Sequence, residues 1–117
     1  MSNTNDYSWA SVCESADVPS MVGVRALLNG EQVAIFRIKG QLYAVSAIDP
    51  FTKMAVLARG IVGDLKGKVV VASPIYKQHF VLEDGSCLED ETVSIKTYPI
   101  RESNGKIELA IAEAIAA

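Results

Sequence analysis

Apolar and polar residues alternate along most of this chain, and turn-forming residues cut the alternation into short runs, the signature of half-buried β-strands. "MVGVRALLNGEQVAIFRIKGQLYAV" predicts three strands, about Val22 to Leu28, Gln32 to Ile38 and Leu42 to Val45, joined at Asn29-Gly30 and Lys39-Gly40. Asn-Gly is a strong hairpin signal because a type I′ turn needs positive φ at both central residues. "KVVVA" from Lys68 predicts a further strand, with His79 to Leu82 returning antiparallel to it. A last hairpin turns at Asn104-Gly105, and along its outgoing strand Ile107, Leu109 and Ile111 alternate with Lys106, Glu108 and Ala110. The final "AEAIAA" reads as a helical turn on the sheet or a loose tail. Many short strands at close spacing predict a mostly β fold, a sandwich or small barrel of antiparallel strands. The segment "SAIDPFTKMAVLARGIVGDLKGK" breaks the pattern and reads as a long connection, and long connections in small domains usually carry function.

At 117 residues the chain is expected to form a single domain, residues 1–117, with its core about 9–111 and short tails at both ends. Its net charge of −3 is spread over both signs with no basic stripe, which argues against a nucleic-acid partner. "MSNTNDYSWAS" has neither a basic start nor an apolar stretch, so a cytoplasmic location is expected. "IELAIAEAIAA" is far shorter than the ~20 apolar residues of a membrane span. The two cysteines, Cys13 and Cys87, are expected as reduced thiols in that compartment.

The candidate chemistry centres on "SPIYKQHFVLEDG", Ser73 to Gly85, together with "IDPF" in the long connection. These stretches resemble the two ligand loops of the Rieske iron–sulfur family, in which one loop carries Cys-Pro-His and the other Cys-Pro-x-His-Gly, with Phe and Gly further on. Ser73-Pro74-Ile75-Tyr76-Lys77 falls on the second pattern without a gap, and Phe80 and Gly85 fall on the later Phe and Gly. Asp49-Pro50-Phe51 falls on the first, with Leu57 and Gly60 after it. The resemblance runs from about Trp9 to Ile111 and implies a Rieske-like β-sandwich with two loops at one end.

The departure is at the ligands themselves. A Rieske cluster takes two Cys thiolates on one iron and two His nitrogens on the other, and the resemblance places Asp49, Ser73, Phe51 and Tyr76 at those positions. Two cysteines and one histidine in the whole chain make three conventional ligands, one fewer than the cluster needs. No metal, no bound cofactor and no catalytic residue is therefore expected. His79 reads as structural, and the acidic run "LEDGSCLEDE" as a solvated turn. The exchanges are pairwise, which predicts a non-covalent staple in place of the metal. Asp49 and Ser73 would share a hydrogen bond worth about 1–2 kcal/mol, and Phe51 and Tyr76 would pair as rings, worth about 1 kcal/mol. The alternative is two loops that drifted apart once the ligands were lost.

Within the Rieske family, the ligand-free pattern of "IDPF", "RGIVGD" and "ASPIYKQHF" is similar to the small subunits of cytoplasmic NADH-dependent nitrite reductases. That resemblance implies a large partner subunit carrying FAD, an iron–sulfur cluster and sirohaem, which takes hydride from NADH and reduces nitrite to ammonia. It places the partner-facing surface at the loop end, on Asp49, Pro50, Phe51, Ser73, Pro74, Tyr76 and Lys77, with Lys53 beside them. The other reading is a free-standing Rieske-like module that binds a different partner.

Overall fold

The computed structural model describes residues 7–112, and within them four two-residue turns fix the strand register. In Asn29-Gly30, Lys39-Gly40, Lys66-Gly67 and Asn104-Gly105 both residues have positive φ, between 51° and 81°. That is the type I′ geometry, whose twist matches the strands it joins. Three of these turns are signalled in the sequence as hairpins. The fourth corrects the reading of residues 46–68 as one long connection, because Lys66-Gly67 joins strand β5, Ile61–Leu65, to β6, Lys68–Ala72. Gly63 and Asp64 disfavour a strand on propensity, and pairing along β6 overrides them.

The remaining strands are β1, Tyr7–Glu14; β2, Val24–Leu28; β3, Glu31–Ile38; β4, Gln41–Ser46; β7, His79–Val81; β8, Ile100–Ser103; and β9, Lys106–Ala112. They form three antiparallel sheets in the orders β1-β9-β8, β2-β3-β4 and β5-β6-β7. The mostly β fold of antiparallel strands is thus as the sequence predicts. β1 was not expected and extends the ordered sheet into the N-terminal tail. β2 begins two residues late, because Met21 sits at φ 70° and interrupts the extended run. The "AEAIAA" segment lies beyond the described residues apart from its first alanine. Among the described residues no helix is long and apolar enough to cross a membrane.

β3 contributes side chains to both cores. Val33 and Ile35 point into one core with Leu28, Ile107 and Leu109, while Ala34, Phe36 and Ile38 point into the other with Leu57, Val71 and Phe80. Burial on both faces explains why "VAIF" is a continuous apolar run instead of an alternation. Arg37 ends that run on β3. Its guanidinium donates to the Val18 and Ser15 carbonyls at 3.0 and 3.2 Å, which ties the N-terminal segment to the central sheet. Gly85 holds the connection after β7, with φ 80°, and a Cβ there would lie 2.1 Å from the Ile95 carbonyl oxygen. Only glycine fits such a backbone contact.

A cluster near the Asn29-Gly30 turn predicts a loss of stability at alkaline pH. The Tyr98 hydroxyl donates to Glu31 Oε1 at 2.6 Å, and Lys96 Nζ donates to the same oxygen at 3.0 Å. Burial, the hydrogen bond to Glu31 and the Glu31 charge push the Tyr98 phenol well above its ordinary value of 10.0. A group whose folded pKa is raised stabilises below its unfolded value, and that stability is lost as pH rises beyond it. Thermal unfolding followed between pH 8 and 11 is expected to show wild type losing stability above about pH 10, and Tyr98→Phe losing less. Parallel profiles for the two proteins would exclude Tyr98 as the titrating group.

Candidate functional site

The long connection and the β6–β7 connection meet as two five-residue loops with one backbone plan. In the first, Asp49–Lys53, the Asp49 N–H donates to the Met54 carbonyl at 2.9 Å and the Lys53 N–H donates back to the Asp49 carbonyl at 2.7 Å. In the second, Ser73–Lys77, the Ser73 N–H donates to the Gln78 carbonyl at 2.9 Å and the Lys77 N–H to the Ser73 carbonyl at 3.0 Å. Each loop has proline second, where no donor is needed. Each ends on a lysine in the left-handed region, φ 63° for Lys53 and 66° for Lys77. The side chain of the leading residue accepts the N–H two residues on. Phe51 N–H reaches Asp49 Oδ1 at 2.8 Å, and Ile75 N–H reaches Ser73 Oγ at 3.3 Å.

One side-chain bond joins the loops. Ser73 Oγ donates to Asp49 Oδ2 at 2.5 Å, and the two residues are 1% and 0% exposed. The first half of the expected staple is therefore present. The second half is not, and here the expectation is corrected: Phe51 packs its ring on Phe80, with centroids 6.4 Å apart and a 40° tilt, while Tyr76 is 60% exposed. Phe80 is fully buried in the core and offers Phe51 a fixed apolar wall, so the phenol is left to reach water. The loops have not drifted apart, but the aromatic clasp runs from loop to core instead of from loop to loop.

The donor set at this end does not fit a Rieske cluster. Both Asp49 oxygens are engaged by Phe51 N–H and Ser73, a phenyl ring has no ligating atom, and the Tyr76 phenol lies outside the enclosed pair. Two thiolates and two imidazoles are what the cluster requires. Among the described residues no three His, Cys, Asp or Glu side chains gather as a metal-binding group. His79 Nδ1 lies 2.6 Å from Glu89 Oε2, and Glu89 Oε1 accepts the His79 N–H at 2.7 Å, a structural tie. Cys87 is buried and Cys13 half-buried, both as free thiols. In the acidic run, Asp84 accepts from Ser86 and Asp90 from Thr92, backbone and hydroxyl alike, so these carboxylates build turns.

Of the seven residues expected at a docking surface, Asp49 and Ser73 are enclosed and Pro50 and Pro74 half-buried, whereas Phe51, Tyr76 and Lys77 are exposed. The enclosed pair can only serve such a surface from beneath. Ile75 and Met54, which the sequence did not single out, add apolar surface at 40% and 53% exposure.

Residues 8–110 match the family described as Rieske-like [2Fe-2S] domain. A nitrite reductase (NADH) small subunit from Salmonella typhimurium is 46% identical over 103 residues, covering 86% of this chain and 95% of that one. The chain belongs to this small-subunit family of Rieske-like domains. A crystal structure from Mycobacterium tuberculosis, assigned as an NADH-dependent nitrite reductase small subunit, superposes with a TM-score of 0.87 at 44% identity, covering 92% of this chain and 97% of that one. The family also reaches into a longer protein. A nitrite reductase [NAD(P)H] large subunit from Klebsiella oxytoca is 34% identical over 99 residues, which are 85% of this chain but 10% of that one.

Proposed function

We propose that this chain is a cofactor-free small subunit of NADH-dependent nitrite reductase in the cytoplasm. It supports a large subunit that holds FAD, an iron–sulfur cluster and sirohaem and reduces nitrite to ammonia for nitrogen assimilation. The observation that carries this reading is the relative in which the same domain makes up a tenth of a large-subunit polypeptide. Tethering raises the effective concentration of a domain at its docking site, so a domain fused in one organism and separate in another is expected to meet the same partner surface in both. The donor set offers no redox centre, which makes the contribution of this subunit a docked surface and not an electron path. That surface is the loop end, where Phe51, Tyr76 and Lys77 stand out beside Pro50 and Pro74, and the buried Asp49–Ser73 bond holds the shape.

Affinity purification of the tagged chain from cells growing on nitrate or nitrite tests the reading, and a flavin- and sirohaem-containing large subunit is expected to come down with it. Recovery with a different partner, or alone, would favour the free-standing module. The cofactor-free state has its own test. Chain purified anaerobically is expected to be colourless, without stoichiometric iron or sulfide, and to melt at the same temperature with and without a chelator. Stoichiometric iron, or loss of structure on chelation, would overturn it.

A further inference from the structure

A second charged feature flanks the first loop. Arg25 on β2 and Arg59 in the 3₁₀ turn Leu57–Arg59 are 34 positions apart in sequence, yet they line one open notch of about 220 Å³ with Gly23, Ala55 and Ala58. Gly23 makes the juxtaposition possible. A Cβ there would sit 2.2 Å from the Ala58 carbonyl oxygen, so only a glycine lets the turn lie directly on the entry to β2. Both arginines are exposed, and among the described residues neither guanidinium appears in an ion pair or side-chain hydrogen bond, whereas Arg37 and Arg101 are both engaged.

The surroundings are apolar and open. Arg25 and Leu27 alternate to the same face of β2, opposite to Val24 and Ala26, which pack on the core; Leu27 is 66% exposed, and Met54, next to Ala55, is 53% exposed. Arginine and methionine are enriched at protein interfaces, and a planar guanidinium suits bidentate capture of a carboxylate. A small free anion would satisfy the charges but leave Leu27 and Met54 in water, while a protein surface covers both.

We propose that the Arg25–Arg59 notch receives an acidic side chain of the large subunit, with apolar residues beside that carboxylate covering Leu27 and Met54. The inference rests on the reading of this chain as a nitrite reductase small subunit and extends the contact from the loop tips along the flank of the first loop. A second copy of this chain is the competing occupant: Asp84, Glu89 and Asp90 of its acidic turn are engaged in internal bonds, Glu83 and Glu91 are exposed, and self-association of the wild type tests it.

The test is binding of the purified chain to the purified large subunit at several salt concentrations. The double variant Arg25→Glu/Arg59→Glu is compared with Lys39→Glu/Lys66→Glu, which makes the same charge change at two turns away from the notch. Circular dichroism melts check that both variants are folded, and sedimentation of each protein alone reports self-association. The notch variant is expected to bind roughly thirtyfold or more weakly, mainly through slower association and with a flatter salt dependence, and the control within about threefold of wild type. Equal weakening of both variants, or a notch variant within threefold of wild type, would overturn the proposal while leaving the small-subunit reading intact. So would a wild-type dimer that the notch variant abolishes without change in large-subunit affinity. Failure of wild type itself to bind the large subunit would overturn the functional reading and this inference together.

Discussion

Ser73→Ala is expected to destabilise the protein by about 3 kcal/mol, although it removes a single atom. Asp49 is 0% exposed, and Ser73 is the hydroxyl that satisfies its Oδ2. Taking the donor away leaves a carboxylate oxygen buried without a partner, and a buried charged group stranded in this way costs more than the 1–3 kcal/mol of a neutral one. Asp49 keeps its bond from Phe51 N–H, which limits the loss. For a domain of this size the change corresponds to a fall in melting temperature of about 10 °C. Ser73→Cys is the informative companion, since it keeps the size of the side chain and weakens the donor; its melting temperature is expected to lie between the other two. A Ser73→Ala protein that melts within about 3 °C of wild type, a shift of under 1 kcal/mol, would show that the loops are held together by other contacts.

The second large effect concerns activity. On mixing with the large subunit, Phe51→Ala combined with Lys77→Glu is expected to abolish most of the NADH-dependent nitrite reduction that the wild-type chain supports, while Lys106→Glu has little effect. Phe51 is 36% and Tyr76 60% exposed, and aromatic anchors with a charged rim are the arrangement in which a few side chains supply most of the affinity. Losing one anchor and reversing one rim charge is expected to cost roughly 3 kcal/mol of binding, more than a hundredfold in affinity. Lys106 is a fair control because it sits by the Asn104-Gly105 turn and pairs with exposed Glu14, a surface ion pair worth little to stability. Melting curves separate loss of docking from loss of fold, since Phe51 also rests on Phe80. Equal activity of both variants would move the docking surface elsewhere.

What could be foreseen from the sequence follows from how local each signal is. The turns at Asn29-Gly30, Lys39-Gly40 and Asn104-Gly105 are legible because two adjacent residues determine a type I′ turn. β5 is not legible because Gly63 and Asp64 mask a strand whose only strong evidence is its partner. The Asp49–Ser73 bond was legible through the matched spacing of two loops whose leading positions can form a donor–acceptor pair. The partner of Phe51 was not, since Phe80 and Tyr76 are both aromatic and near in sequence, and only the packing of β7 against the core decides which ring is in reach. The arginine notch had no local signal, because Arg25 and Arg59 meet only through a glycine contact between distant segments.

The bond between Asp49 and Ser73 also constrains how this domain can be changed by descent or by engineering. Each position is most favourable beside the other, so the cost of changing one depends on the identity of its neighbour 24 residues away, a dependence that additive substitution scales miss. Among relatives these two positions are expected to covary as a unit. A chimaera that takes only the second loop from a cluster-bearing homologue would set a thiol against the buried Asp49 carboxylate, one that takes only the first would leave the Ser73 hydroxyl facing a thiol, and one that takes both loops brings a matched pair. The heritable module at this end of the molecule is thus the two loops together, and neither is portable alone.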